Sequence, residues 1–418
     1  MSDHTPPAPR PENLNKGASR SWLGPGLLIS ASFIGPGTIT TATVTGADYG
    51  FALTWAVVFS IIATIILQEM SARLGVMTGK GLGEIMRETF DHPVAKSLMI
   101  ILIVAAIGVG GSSYAGGDTT GTSLAIESVL PLPFPAIALI VGAILLFLLL
   151  SGSYKIVERV MTVLVIAMAV AFILTVVVVQ PDFGAMFRGI FVPTIPAGAL
   201  LTTIALIGTT VVPYNVFLHA SLVQEKWGAD PDREKSLRRA KVDNTVSISI
   251  GGLITLAVLA TSAGTLFVHG VSAESAADMA VQLEPLLGPA ADWVFGIGLF
   301  SAGLTSALAG PLGAAYAISG ILGWSTDMKS KRFRAIAVAV VLIGVVIAVT
   351  GVNPIQVIIV AQAANGLLLP IVTGFLLYTM NKAKSLGSHR NGVVANVLGG
   401  IVMVVVTGLA IYQLATLV

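Results

Sequence analysis

The sequence contains no cysteine among its 418 residues, and only 11% of its residues are charged. The lack of cysteine excludes disulfide frameworks, thiolate metal sites, iron–sulfur clusters and thiol nucleophiles. The lack of charge excludes an ordinary soluble protein, because a soluble domain carries roughly 25% charged residues. A net charge of +2 gives no reason to expect a nucleic-acid partner. With 55% hydrophobic residues and a mean hydropathy of +0.90, the composition predicts an integral membrane protein whose main surroundings are the lipid bilayer.

Long apolar runs predict the number of membrane spans. A spanning helix needs about 20 mostly apolar residues, and 160–179 is an uncharged run of that size. Extending the search from this run predicts an all-α membrane fold with eleven spans. The predicted spans are 22–49, 51–76, 97–129, 134–152, 156–180, 194–223, 242–269, 287–323, 333–351, 354–380 and 391–417.

The basic residues indicate how these spans are oriented. With eleven spans, all of the 23 lysine and arginine residues except Arg188 fall on one face. Because lysine and arginine are retained on the cytoplasmic side during insertion, we expect a multi-pass cell-membrane protein with a cytoplasmic N-terminus and its C-terminus outside. Residues 1–21 are polar and rich in proline, which predicts a disordered cytoplasmic tail.

Two spans contain helix-breaking sequences near their middle. The first span contains Gly35-Pro36-Gly37-Thr38, and the sixth contains Val212-Pro213-Tyr214-Asn215. Proline removes a backbone donor, and unwound backbone at membrane depth persists only where it is buried or lines a cavity. Breaks at corresponding positions in two halves are typical of secondary transporters built from inverted repeats. We therefore expect one repeat of five helices at 22–180, a second at 194–380, and an additional helix at 391–418.

Other functional classes fit the sequence less well. A membrane-embedded enzyme would need a catalytic constellation, yet the chain has no His-Glu-x-x-His motif and no cysteine, so neither enzymatic activity nor a cofactor is expected. A channel would need a continuous polar pore, whereas the polar side chains cluster at the two breaks. A scaffold without transport activity stays open, because a fold does not fix a function.

Five stretches of the sequence resemble the Nramp family of proton-coupled divalent-metal transporters. The resemblance runs from about residue 23 to residue 382 and implies the LeuT-type fold, which consists of two inverted five-helix repeats with discontinuous first and sixth helices. The matching stretches are LGPGLLISASFIGPG, LQEMSARLGVMTGKGLGEI, VPYNVFLHAS, GLTSALAGPLGAAYAISGIL and QAANGLLLPIV.

The chain departs from the family at the positions that hold the metal. In metal-transporting members the first break reads Asp-Pro-Gly-Asn, but its aspartate and asparagine are replaced here by Gly35 and Thr38. The sixth-helix break in those members reads Ala-x-x-Met-Pro-His-Asn, and the corresponding residues here are Thr209, Val212 and Tyr214. Of the side chains that bind the metal in those members, only the glutamine of the tenth helix is retained, as Gln362.

The changed residues predict a different substrate. A transition metal needs anionic or soft donors, whereas a bare helix start at Thr38 carries partial positive charge and favours an anion. The leading hypothesis is therefore a secondary transporter of a small oxyanion such as bicarbonate. The alternative is a divalent cation, hydrated magnesium or manganese-type, with proton coupling. The predicted substrate-binding residues are Gly35, Gly37, Thr38, Thr209, Thr210, Val212, Tyr214, Asn215 and Gln362.

Uptake of an anion against a negative-inside potential requires a co-transported cation. Asp118 aligns with an acidic residue of the family's proton pathway, and His219 lies at membrane depth, so both are candidates for carrying a proton. Thr305 and Ser306 resemble the Thr-Ser pair of LeuT-type sodium transporters, which faces carbonyls of the first half-helix, here 30–34. Sodium and proton coupling both remain open.

Overall fold

The computed structural model describes residues 24–127, 130, 132–151, 155–350 and 352–416, and nearly all of them are helical. The predicted tail at 1–21 lies outside the described residues. The helices are α1 (Pro25–Phe33), α2 (Pro36–Tyr49), α3 (Thr54–Thr78), α4 (Leu82–Thr89), α5 (Pro93–Glu127), α6 (Phe134–Ser151), α7 (Lys155–Val179), α8 (Phe183–Phe191), α9 (Leu200–Thr210), α10 (Pro213–Trp227), α11 (Arg233–Ser262), α12 (Ala276–Ala280), α13 (Glu284–Leu287), α14 (Ala291–Leu322), α15 (Lys331–Ala348), α16 (Pro354–Lys382) and α17 (Val393–Ala415).

Ten of the eleven predicted spans meet the length and composition of a membrane helix. Nine helical stretches in the described part of the chain qualify alone, and α1 with α2 makes a tenth. The remaining predicted span, at 333–351, corresponds to α15, which has 18 residues and begins with Lys331, Arg332 and Arg334. These charges leave it a shorter apolar stretch, although it packs against α5, α6 and α14 within the bundle.

The first span breaks where the sequence predicts it. Gly35 is extended, with φ −112° and ψ −175°, and Pro36 begins α2, so α1 and α2 meet at a bend of 54°. A proline at the first helical position needs no hydrogen bond from its nitrogen, which makes the restart of the helix favourable. Helices α5 and α14 pack directly on this corner: a Cβ atom on Gly121 would lie 2.1 Å from Pro36 Cβ, and one on Gly303 would lie 3.2 Å from Pro36 Cγ.

The sixth span is interrupted in a different way. Helix α9 ends at Thr210, Val212 is extended, and Pro213 begins α10. The two halves together still count as a single span from Leu200 to Trp227. The hydrogen-bond ladder is therefore interrupted in both spans, but among the described helix pairs only α1 and α2 bend sharply.

The bundle surrounds the two interrupted spans. Helix α5 packs against α14, α15 and α16, while α11 lies along both halves of the first span. Helix α9 packs against α16 and α3, and α10 packs against α3 and α14. Both interruptions are thus enclosed by helices, as expected for unwound backbone at membrane depth.

Three of the loops that carry many basic residues meet at one end of the bundle, which we call the basic end. Arg73 at the end of α3 donates hydrogen bonds to the His389 carbonyl at 3.1 Å and to Asn391 Oδ1 at 2.7 Å. Arg233 donates to the Met77 carbonyl. These contacts bring the loops after α3, α10 and α16 to one face, as the distribution of charge predicts. The assignment of that face to the cytoplasm remains a prediction.

Candidate ion-binding site

The two interrupted spans meet through a pair of threonine hydroxyls. Thr38, in the first turn of α2, lies with its Oγ1 2.7 Å from Oγ1 of Thr209, in the last turn of α9. Thr38 also donates a hydrogen bond to the Phe33 carbonyl at the end of α1. Both threonine side chains are buried. The structure therefore joins two of the predicted site residues directly across the two breaks.

A buried carboxylate lies beside the first break. Asp118 of α5 is fully buried, and its Oδ2 lies 2.6 Å from the Ser306 hydroxyl of α14. The same hydroxyl lies 2.8 Å from the carbonyl of Ser32 in α1. Among the described residues, Asp118 Oδ1 has no hydrogen-bond partner. Two of the predicted coupling residues, Asp118 and Ser306, thus form one cluster with the backbone of the first span.

With Asp118 ionised, the cluster carries fewer protons than its short oxygen–oxygen contacts require. The Ser32 carbonyl and an ionised Asp118 can only accept hydrogen bonds, whereas the Ser306 hydroxyl has a single proton to donate. The Ser306 hydroxyl can therefore donate to only one of its two close neighbours. The other short contact is left with no proton between its two oxygen atoms. A proton on Asp118, or a cation held among the oxygen atoms, would balance the cluster.

The same packing explains the glycine at position 35. A Cβ atom there would lie 2.6 Å from Ser306 Oγ and 3.0 Å from Asp118 Oδ1. The space that a side chain at position 35 would enter is occupied by Ser306, and the carboxylate comes from α5 instead. The premise behind the anion hypothesis, that this break has no carboxylate, is therefore wrong.

Two tyrosines and an asparagine complete the polar surroundings. The Tyr114 hydroxyl donates to the Ser32 carbonyl at 3.3 Å, and its ring packs edge-on against Tyr214 with the ring centroids 5.4 Å apart. The Ser32 hydroxyl lies 3.0 Å from Asn215 Oδ1 in the first turn of α10. The Ser32 carbonyl lies within the 30–34 stretch expected to face Ser306, whereas the Ser32 hydroxyl and Tyr114 were not among the predicted site residues. The spacing of Tyr114 and Asp118 could have revealed Tyr114, because residues four apart share a helix face.

Gln362 brings a neutral amide to the start of α2. Its side chain is fully buried, and neither amide atom has a hydrogen-bond partner in the described part of the chain. A Cβ atom on Gly37 would lie 2.0 Å from Gln362 Nε2, so only glycine permits this approach. An unsatisfied buried amide costs free energy unless a ligand or water binds it, so Gln362 is poised to bind a ligand at the break.

Four of the predicted residues lie apart from this cluster. The Thr305 hydroxyl donates to the Ser301 carbonyl at 2.8 Å, and its side chain lines a mostly apolar cavity. His219 lies further along α10, with Nδ1 3.0 Å from Oε1 of Gln68. Val212 contributes an apolar side chain at the second break. The backbone carbonyl of Thr210 accepts a hydrogen bond from the Thr64 hydroxyl at 3.3 Å.

The available donors are oxygen atoms, with one carboxylate among them. Within the described residues, no group of three or more histidine, aspartate or glutamate side chains could hold a metal ion. In the described cluster Asp118 is the one anionic donor, and the soft donors that transition metals prefer are not among the residues identified there. Carboxylate, carbonyl and hydroxyl oxygens suit hard cations, which keep part of their hydration shell.

Comparison with known proteins places the chain in a family. A family model described as natural resistance-associated macrophage protein-like, or Nramp, matches residues 26–416. The chain belongs to the Nramp family. It is 28% identical over 401 residues to a protein named divalent metal cation transporter MntH from Yersinia pestis strain Pestoides F, with 95% of each chain covered. A protein of the same name from Pectobacterium carotovorum is 29% identical over 398 residues, with 94% of each chain covered.

Solved structures agree on the fold of this Nramp protein. A point mutant of the Eremococcus coleocola manganese transporter matches with a TM-score of 0.76 at 18% identity, over 94% of this chain and 86% of the other. Mhp1, a nucleobase-cation-symport-1 family transporter, matches with a TM-score of 0.54 at 15% identity, over 96% and 94%. The predicted LeuT-type fold with two interrupted helices is confirmed, and the protein is a multi-pass membrane transporter rather than an enzyme. The repeat boundaries at 22–180 and 194–380 remain predictions.

Proposed function

We propose that this protein is a secondary active transporter of a hard divalent cation, which binds at the first break beside Asp118. The observation that carries the proposal is the fully buried Asp118 carboxylate, which shares the Ser306 hydroxyl with the Ser32 carbonyl and has one oxygen atom without a partner among the described residues. A charge buried at membrane depth is costly and is retained where it pairs with another charge or an ion. A cation among these oxygen atoms would provide that pairing.

The donor set favours a cation that keeps part of its water shell. Asp118, Ser306 and the Ser32 carbonyl offer three oxygen donors, and Thr38 and Gln362 lie at the start of α2 beside them. Magnesium binds through one or two carboxylates and retains several waters. The curated relatives named above are divalent metal cation transporters, which supports a divalent cargo. We therefore expect magnesium or manganese to be transported in preference to the softer cadmium.

A small oxyanion such as bicarbonate is the second candidate. The observation that favours it is the start of α2, where the first turn contains no acidic residue and the unpartnered Gln362 amide lies against Gly37. In that case the oxyanion would bind near Thr38, Thr209 and Gln362, and Asp118 with Ser306 would hold a co-transported sodium ion or proton. Asp118 therefore binds the transported cation under the first candidate and the co-transported sodium ion or proton under the second.

Uptake into proteoliposomes separates the two candidates. Purified protein would be tested in parallel with manganese, magnesium and bicarbonate, each with and without a sodium gradient. We expect uptake of magnesium or manganese, and we expect Asp118→Asn to abolish it. Thr305→Ala is the matched control, because Thr305 neighbours Ser306 in the chain but its hydroxyl bonds to the Ser301 carbonyl of its own helix.

The possible outcomes separate the two candidates. Bicarbonate uptake that depends on sodium and is insensitive to divalent cations would overturn the cation proposal and support the second candidate. Absence of all three fluxes in protein that retains its thermal transition would argue against both candidates.

A further inference from the structure

The start of α11 presents three exposed basic side chains at the basic end of the bundle. They belong to Lys235, Arg238 and Arg239, and none of them forms an ion pair in the described part of the chain. Two other charged residues of this helix, Glu234 and Lys241, already lie beside ionisable partners. Glu234 lies 3.3 Å from His389, and Lys241 lies 3.1 Å from Glu69.

An exposed apolar stripe continues directly from these three residues. Val242, Val246, Ile250 and Leu253 are between 51% and 63% exposed, although they lie within a membrane-spanning helix. At about 100° per residue, they fall within an arc of about 80° on one face of α11. Lys235 and Arg239 project from the same arc, and Arg238 from its edge. One helix face therefore changes from cationic to apolar at the basic end of the bundle.

We propose that this face of α11 binds an anionic phospholipid. The phosphate group would lie among Lys235, Arg238 and Arg239, and an acyl chain would lie along the stripe from Val242 to Leu253. Basic residues at a membrane surface attract anionic headgroups, and exposed apolar side chains in a spanning helix face lipid. A soluble acidic partner would satisfy the cations but would leave the stripe without a match.

Within the part of the chain that the structure describes, nearby acidic groups form no ion pair with the three cations. Asp230 accepts hydrogen bonds from the Ser236 hydroxyl at 2.8 Å and from the backbone N–H of Asp232 at 3.0 Å. The Asp232 side chain accepts from the backbone N–H of Lys235 at 3.0 Å and caps the helix. Both carboxylates are thus held by hydrogen bonds within the loop, and neither lies within ion-pair distance of the three basic side chains.

A lipid at this position would lie next to a contact that holds the first span. One turn beyond Arg239, the Asp243 carboxylate accepts a hydrogen bond from the backbone N–H of Gly26 at 2.7 Å, at the start of α1. A Cβ atom on Gly24 would lie 2.1 Å from the same carboxyl group. The start of α1 is thus fixed to α11 one turn beyond the residues that would bind the headgroup. We therefore expect bound lipid to stabilise this contact between α1 and α11.

The test compares lipid binding in two charge-matched variants. Native mass spectrometry and thermal melting of the purified full chain would be measured with added dioleoyl phosphatidylglycerol or dioleoyl phosphatidylcholine. Lys235, Arg238 and Arg239 are changed together to glutamine in the first variant. The control changes Lys329, Lys382 and Lys384 to glutamine, which removes equal charge from exposed positions elsewhere. At about fivefold per basic residue, the first variant should bind phosphatidylglycerol about 100-fold more weakly at low salt.

Other probes identify the source of the binding energy. We expect wild type and the control to bind phosphatidylglycerol in preference to phosphatidylcholine, and we expect glycerol phosphate and poly-glutamate to have little effect. Equal binding of phosphatidylglycerol by both variants would overturn the proposal. Stabilisation by glycerol phosphate or poly-glutamate as large as that by the lipid would also overturn it, because the apolar stripe would then contribute nothing. None of these readouts depends on the identity of the transported ion.

Discussion

Replacing Asp118 by asparagine isolates the charge on which the proposed cation site depends. Asparagine keeps the shape of the side chain and can still hydrogen-bond to Ser306, so the packing of α5 against α14 should persist. Two unit charges about 4 Å apart interact by about 4 kcal/mol at an effective dielectric constant near 20, and a divalent cation carries twice the unit charge, so about 4 kcal/mol is a lower bound on the lost interaction. Losing an interaction of that size weakens cation binding by about a factor of 1,000.

The loss can be measured as a change in thermal stability. A ligand at 100 times its Kd stabilises a folded protein by about 2.7 kcal/mol. At the same magnesium or manganese concentration, binding to Asp118→Asn would be about 1,000-fold weaker, and the stabilisation would fall below about 0.1 kcal/mol. Without cation the variant should melt no lower than wild type, because it no longer buries an unpaired charge. Thr305→Ala should retain the full cation-dependent shift.

A cation-dependent shift of wild-type size in Asp118→Asn would refute this reasoning, because the ion would then bind without the carboxylate. A lower melting temperature without cation would show that Asp118 has a structural role instead. Uptake measurements on the same preparations would show whether binding and transport are lost together.

Other substitutions test the packing around the two breaks. Gly35→Ala should abolish transport and lower the melting temperature, because its Cβ atom would lie 2.6 Å from Ser306 Oγ. The control Gly108→Ala should be neutral or stabilising, because no described neighbouring atom lies within 4 Å of the added Cβ atom. Normal transport and melting of Gly35→Ala would contradict the packing at the first break. Thr209→Val removes the hydroxyl that lies 2.7 Å from Thr38 Oγ1. It should reduce uptake into proteoliposomes while lowering the free energy of unfolding by no more than about 1–2 kcal/mol. Full uptake by this variant would show that the hydroxyl pair is dispensable. Gln282→Ala should destabilise the fold by about 1–3 kcal/mol, because the fully buried amide donates a hydrogen bond to Thr43 Oγ1 at 2.9 Å. An unchanged melting temperature in scanning fluorimetry would refute this prediction.

Local rules predicted the two interruptions correctly. Proline and glycine act on the backbone around them, so the breaks at Gly35-Pro36 and Val212-Pro213 follow from the sequence alone. The angle at each break does not follow, because it depends on which helices pack on the corner. Pro36 is fixed by close contacts from α5 and α14, and the first span bends by 54° there.

The composition of the site depended on contacts that the sequence does not specify. The anion hypothesis depended on the residues within the two breaks, which include no carboxylate. The structure places Asp118 beside Gly35, and this contact arises from the packing of a third span against the first. The resemblance to Nramp proteins indicated Asp118, and the likeness to LeuT-type sodium transporters indicated Ser306, so the two were predicted as separate candidates for proton and sodium coupling.

The start of the predicted span at 333–351 was the other point at which the sequence prediction and the structure differed. A run of apolar residues at 333–351 satisfied the sequence pattern, but α15 begins earlier, with three basic residues in its first turn. Hydropathy measures the apolar stretch, whereas the helix boundary depends on capping and on packing against α5 and α6.

The most direct test of the proposed site is to locate the bound ion by anomalous diffraction from crystals soaked in manganese. The account predicts one strong peak at the first break, within about 2.6 Å of a carboxylate oxygen of Asp118 and near Ser306 Oγ. No peak at Asp118, together with oxyanion density between Thr38, Thr209 and Gln362 in crystals grown with bicarbonate, would contradict it.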